Sequence, residues 1–224
     1  MKVIVYTASV GPRSKVKEFD FEAKEYSYHA FVWPYYDLSS WESHEAEIID
    51  CDMRRCARWY KANPHLLFDC DISIWMDASL TPAIEPIDLV NLIPENVDIA
   101  AYKHPRRNCT YEEIATVTGR TAEVENPRDY PAILDEQEAR YRKEGLPEKA
   151  GLWENSILVR RHNEKAKSFN KIWWNEIDKG TREDQVSMPY SILKSGATAA
   201  YITPGKAHHN PYVKFVGHSG LPWR

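Results

Sequence analysis

A chain of 224 residues is long enough to bury a large core within one domain. Its 43% hydrophobic and 28% charged residues match a water-soluble globular protein and exclude a disordered one. The formal net charge of −4 leaves no surplus of cations to follow a phosphate backbone and argues against nucleic-acid binding, although local basic clusters can still hold a small phosphorylated ligand.

Lys2 to Thr7 (KVIVYT) is a β-branched run closed by small residues and Gly11-Pro12, and it predicts the first strand. The opening MKVIVYTASVG is too short and too quickly interrupted for a signal peptide. After an irregular aromatic stretch, Tyr28 to Trp33 reads as a short strand stopped by Pro34. Glu45 to Lys61 reads as a helix that Pro64 stops. Ile72 to Leu80 (ISIWMDASL) is then an apolar run that ends in one aspartate and small residues, the pattern of a buried strand. Such strands deliver ligand-binding groups at their carboxyl ends, which puts Asp77 at the floor of a cleft. Taken alone, Asp77 reads more readily as a strand-end aspartate that starts a turn or caps the next helix.

Ile87 to Leu92 predicts a short helix, and Val97 to Tyr102 a strand that runs into the basic cluster Lys103-His104-Pro105-Arg106-Arg107. That cluster is a candidate anion site, with a solvated loop as the equal alternative. Tyr111 to Thr118 and the polar stretch Ala132 to Glu144 read as helices, the second as a partly exposed lid or insertion within about 119–150. Asn155 to Val159 is a strand, Glu164 to Asp178 and Glu183 to Leu193 are helices, and Thr198 to Ile202 is the last strand before a His- and aromatic-rich tail. Strands alternating with helices throughout, with no repeat and no linker, give a single α/β domain over residues 1–224; a central mixed, mostly parallel sheet flanked by helices is the fold class expected. No apolar run approaches the roughly 20 residues of a membrane helix. Cys51, Cys56, Cys70 and Cys109 form no CxxC pair, so reduced thiols and a cytoplasmic protein are expected. Oligomeric state is not legible.

Three later stretches carry chemistry: Asn155 where a strand begins, Asp184-Gln185 opening a helix, and His218 in HSGLPW. Each has an ordinary explanation taken singly. Their order after Asp77 is what makes them informative. Trp75-Met76-Asp77-Ala78-Ser79, Asn155-Ser156-Ile157-Leu158, Asp184-Gln185 and the closing HSGLPW together resemble the motifs of family 8 glycosyltransferases, which have the nucleotide-sugar-binding fold called GT-A. RWYKANPH (Arg58 to His65), SIWMDAS and KHPRRNCTYEE (Lys103 to Glu113) are similar, more closely, to the group called domain of unknown function 616.

The resemblance implies a glycosyltransferase that moves a sugar from a nucleotide-diphosphate donor, UDP-linked by preference, to a carbohydrate or other hydroxyl acceptor with retained configuration. It implies Asp77 and His218 as ligands of a divalent metal, Mn²⁺ preferred over Mg²⁺ for a mixed carboxylate–imidazole shell. Asp184, Gln185 and Asn155 would be the catalytic groups. Arg58, Lys61, Lys103, His104 and Arg106 would meet phosphate or donor sugar, and Tyr6 and Thr7 would meet base and ribose. Ser79 stands where the family has a second aspartate, which points to weaker metal binding, another carboxylate, or metal-independent transfer. The alternatives are a metal-dependent hydrolase, against which stands the absence of a GxSxG elbow or HExxH helix, and a catalytically silent sugar- or nucleotide-binding module.

Overall fold

A computed structural model describes residues 1–12, 15–20, 26–50, 52–122 and 131–216. Its centre is β1 (Val3–Val10), the β-branched run expected at the start, now ending three residues later and buried along its whole length. Parallel to it on one side run β2 (Ser27–Trp33) and then β3 (Glu42–Glu45). On the other side lies β4 (Ile72–Met76), also parallel and fully buried. Beyond β4 come β7 (Trp153–Arg161), β6 (Ile99–Lys103) and β8 (Ala199–Tyr201), giving a seven-stranded sheet in the order β3-β2-β1-β4-β7-β6-β8. β7 is antiparallel to both its neighbours, and every other pairing in that sheet is parallel. The sheet is thus mixed and mostly parallel, the fold class expected. A separate two-stranded ribbon joins β5 (Leu80–Pro82) to β9 (Val213–Phe215).

Strand periodicity sorts the core into two layers. Val3, Val5, Ile72, Ile74, Met76, Ile157 and Val159 face one side, where Leu89 and Val90 of α3 (Pro86–Asn91) cover them. Tyr6, Ala8, Trp75 and Leu158 face the other side, under α1 (Met53–Ala62), α6 (Glu164–Lys179) and α7 (Asp184–Ser195). Each fully buried aliphatic side chain contributes about 1.5–3 kcal/mol. A third cluster joins Ile114 of α4 (Thr110–Ala122) and Leu134 and Tyr141 of α5 (Pro131–Lys143) to Val186 and Tyr190 of α7. A single turn, α2 (Pro64–Leu67), follows α1.

The start of the first helix differs from the sequence expectation for a local reason. The helix expected from Glu45 starts at Met53, because Glu42–Glu45 extends to pair with β2 and Asp52 caps the helix by accepting from the Arg54 amide at 2.9 Å. The polar helix α5 is not free of the core, since Leu134, Gln137 and Tyr141 share a buried face. α7 closes on Gly196, whose φ of 65° is the left-handed turn that favours glycine.

Candidate active site

Four segments meet at the carboxyl end of β4. Asp77 leaves that strand, and its backbone amide donates to the Ser156 carbonyl of β7 at 2.8 Å. Because β7 runs antiparallel, its beginning lies at this end of the sheet, which brings Glu154, Asn155 and Ser156 alongside Asp77. α7 starts with Asp184, and α1 ends with Arg58 and Lys61, three residues apart and therefore on one helix face.

Lys61 is the hub. Its ammonium is 2.7 Å from Asp184 Oδ2 and 3.4 Å from Asp77 Oδ1, and it lies 5.5 Å from the centre of the Trp75 ring. The Lys61 side chain is 2% exposed and that of Asp184 4%, whereas Asp77 keeps 35% of its side chain open to solvent. The Trp75 indole N–H donates to Asp77 Oδ1 at 2.7 Å. Burial alone would raise the Asp77 carboxyl, but Lys61, Arg58 and the Trp75 donor outweigh it and hold the group below its ordinary range. Arg58 Nη1 lies 3.5 Å from Asp184 Oδ2. Burial opposes the charge on Arg58, but Asp184, Asp77, Glu183 and Glu154 more than restore it.

Lys61 is held from behind. Its carbonyl accepts from the Tyr6 hydroxyl at 2.9 Å and from Arg160 Nη2 at 2.6 Å. Tyr6, expected at the nucleotide, is instead an internal strut with no exposed surface, hydrogen-bonded to Arg160 as well. Thr7 is buried too, with its hydroxyl unpartnered among the described residues. Both face the core because β1 is covered on both sides.

The other expected residues are placed as follows. Asn155 is 1% exposed, and both ends of its amide lack a partner among the described residues. Gln185 is half-buried in the first turn of α7. Lys103 is exposed, its ammonium 5.9 Å from the Tyr201 ring centre. His104 is buried, accepting from the Arg107 amide at 3.0 Å, with Glu113 3.9 Å from its other nitrogen. Arg106 is exposed. His218 lies outside the described residues.

Two groups at the site went unread in the sequence. Glu154 sits at a half-buried position of an otherwise buried strand end, and both its oxygens accept from Ser156 Oγ, at 2.6 and 2.5 Å. Burial first, then the charges of Asp77 and Asp184, push its carboxyl up from 4.5 to about 7. His208 stands 3.1 Å from Ser156 Oγ, and burial lowers its imidazole against the pull of Asp77. A glutamate in the strand Trp153–Val159 was a usable signal for the first. Nothing local marked His208 out within AHHNPY.

Donor chemistry decides whether a divalent cation fits at Asp77. Ser79 offers a hydroxyl where a second carboxylate is needed, and Asp77 Oδ1 already accepts from Trp75 and Lys61. Among the described residues Asp77 belongs to no set of three ligating groups close enough to share an ion. The described donors therefore do not make a metal shell there, and an ammonium occupies the space between the two aspartates.

Comparison with known proteins bears on what this cleft does. The backbone resembles, at TM-scores of 0.46, 0.44 and 0.43, a glycosyltransferase involved in glycosylation of the PBCV-1 major capsid, mouse xyloside xylosyltransferase 1, and the galactosyltransferase LgtC. These matches span 90%, 89% and 90% of this chain and 81%, 84% and 73% of those, at 8%, 9% and 9% identity, too distant to fix any feature of the site. In sequence the chain is 26% identical over 147 residues to the probable hexosyltransferase MUCI70 of Arabidopsis thaliana. That match takes in 61% of this chain and 24% of the relative, so the chain spans about a quarter of that protein's length. Residues 47–203, which carry α1, β4, β7 and α7 and hence every described group of the cleft but His208, match the TOD1/MUCI70 glycosyltransferase-like domain, and the chain belongs to that family.

Proposed function

We propose that the chain is a glycosyltransferase that moves a sugar, a hexose by preference, from a nucleoside diphosphate, UDP first, to a hydroxyl of a carbohydrate-like acceptor. The observation that carries this reading is the cleft at β4, where two aspartates, Lys61 and Arg58 converge in a chain of a glycosyltransferase-like family. Breaking the bond between the anomeric carbon and phosphate builds negative charge on the departing diphosphate, and the sugar passes through an oxocarbenium-like state. Lys61 and Arg58 are suited to neutralise the first, in a partly dry cleft where such charges act strongly. Asp184 would accept hydrogen bonds from donor hydroxyls. Gln185 and the unpartnered amide of Asn155 would lie near the reacting carbon and support retention of configuration.

A divalent cation, Mn²⁺ first, belongs to this reading only through His218 together with Asp77, and no step is assigned to it. Lys103, His104 and Arg106 are left as a second basic cluster for the acceptor or donor side.

Melting curves with UDP and with GDP, each with and without Mn²⁺, test the proposal. A nucleotide held by the folded form alone stabilises by about 2.7 kcal/mol at 100 times its Kd, which for a domain of this size is a rise of roughly 5–10 °C. Arg58→Ala should abolish most of that rise, and wild type should transfer sugar from the matching nucleotide sugar to an added acceptor. No shift with any nucleoside diphosphate would overturn the reading. A shift with no turnover would leave a silent binding module, and release of free sugar without acceptor would indicate a hydrolase.

A further inference from the structure

A second set of ligating groups lies away from the cleft, on the outermost strands. β2 and β3 run parallel with His29 opposite Glu42 and Phe31 opposite His44. Residues two apart on a strand share a face, so His29, Glu42 and His44 all project from the same side of this edge. His29 Nδ1 is 2.9 Å from His44 Nε2 and 3.5 Å from Glu42 Oε2, and His44 Nε2 is 3.6 Å from Glu42 Oε1. Among the described residues this is the one group of three whose ligand atoms are so gathered. The rings are steadied by aromatic neighbours, His29 at 5.0 Å from Phe68 and His44 stacked at 5.0 Å on Phe31.

The spacing has a chemical meaning. Metal–nitrogen bonds of about 2.0–2.1 Å in a tetrahedral shell put neighbouring ligand atoms roughly 3.3 Å apart. The three separations here fall on both sides of that value. Two imidazole nitrogens that face each other either share one proton or give both lone pairs to a cation. Two nitrogens and one carboxylate oxygen suit a borderline transition metal, whereas Ca²⁺ and Mg²⁺ prefer oxygen alone. We propose that His29, Glu42 and His44 form a binding site for a divalent transition-metal ion, Zn²⁺ first, with a fourth position left open to water. The ion clasps the four-residue edge strand β3 to β2, and it does so outside the segment that matches the glycosyltransferase-like family.

The test is a Zn²⁺ titration by calorimetry of the chain without an affinity tag, repeated on Asp77→Asn so that the cleft cannot supply the signal. The proposal expects one equivalent bound in both proteins, and visible d–d absorption when Co²⁺ replaces Zn²⁺. His29→Ala and His44→Ala should each weaken binding by more than the roughly 10–100-fold that outer groups around a metal are worth. Glu42→Gln, at a side chain 65% exposed, should weaken it measurably and alter the Co²⁺ spectrum. Failure of wild type to bind, or undiminished binding by the His29→Ala/His44→Ala double variant, overturns the site. An unchanged affinity and spectrum in Glu42→Gln overturns the three-ligand assignment.

Discussion

At the scale of single residues the cleft is a problem in buried charge. Lys61 and Asp184 are almost wholly out of water, and each is tolerable only because the other is there. Removing one member strands its partner, whereas the pair itself is weak support for stability. That arithmetic explains why the sequence, which marked Asp77, Asp184, Arg58 and Lys61 singly, could not show that one ammonium binds both carboxylates. Glu154 is the residue whose protonation is most exposed to test. Its carboxyl, raised from 4.5 to about 7, keeps a proton in the folded chain across a pH window where the unfolded chain has released it. The stabilisation is therefore complete below about pH 4.5 and is lost as the pH rises through about 7. At 1.36 kcal/mol per pKa unit the loss is about 3 kcal/mol. Glu154→Gln keeps an acceptor for Ser156 and cannot titrate. Denaturant titrations in chelator should show wild type losing about 3 kcal/mol relative to Glu154→Gln between about pH 4.5 and 8. Parallel curves for the two proteins would refute this account of the carboxyl.

Among the elements, α5 departs furthest from its local pattern. Its charges (PAILDEQEARYRK) suggested a partly exposed lid or insertion, and within it Arg140, Tyr141 and Gln137 turn to one carboxylate on α6. Glu176, 4% exposed, accepts from Arg140 at 3.0 and 2.6 Å, from Tyr141 at 2.7 Å and from Gln137 at 3.3 Å. A polar face satisfied by a residue far along the chain has no signature in hydrophobic periodicity, so the sequence showed the helix and not its anchor. The antiparallel course of β7 was hidden for the same reason, since a strand's apolar pattern does not carry its direction. The edge elements β3, β5 and β9 are too short to leave a pattern. Glu176→Ala would take the carboxylate acceptor from Arg140 and Tyr141, while the Gln137 amide keeps the Tyr141 hydroxyl at 2.7 Å. Arg140 is 40% exposed and can turn its charge to water, whereas the buried Tyr141 hydroxyl loses its acceptor, so the cost should be about 1–3 kcal/mol, and the loss should centre on α5. Urea unfolding should report that cost, and limited proteolysis should cut within 131–146 faster than in wild type. Cleavage there at the wild-type rate would mean that α5 is held by other contacts.

Over the whole molecule, the long strands and the order of elements were legible because β1 and β4 are largely apolar runs, β7 carries the apolar stretch Ile157-Leu158-Val159, and all three are buried nearly throughout in the fold. What joins those strands to the cleft is a residue with no such pattern. Arg160 on β7 has no exposed surface, and it reaches across β4 to the Tyr6 hydroxyl of β1, to the Lys61 carbonyl at 2.6 Å, and to Asn170 Oδ1 of α6 at 2.8 Å. Burial pushes this guanidinium below its ordinary range, while the Tyr6 contact works to hold it up. Sheet, α1 and α6 are thus tied at one point directly behind Lys61, so core and cleft should not vary independently. Lysine cannot reproduce the planar fork, and methionine removes the charge while keeping much of the volume. Arg160→Met should therefore destabilise the fold and diminish the nucleotide-induced rise in melting temperature together, although Arg160 touches neither aspartate. A double-mutant cycle separates this coupling from simple damage. Tyr6→Phe removes one hydroxyl from the same knot, and groups sharing a network show interaction energies of about 0.5–3 kcal/mol. The double variant should accordingly lose less than the sum of the two single losses. Strict additivity, or a nucleotide response intact in Arg160→Met, would mean that Lys61 holds its place without the core behind it.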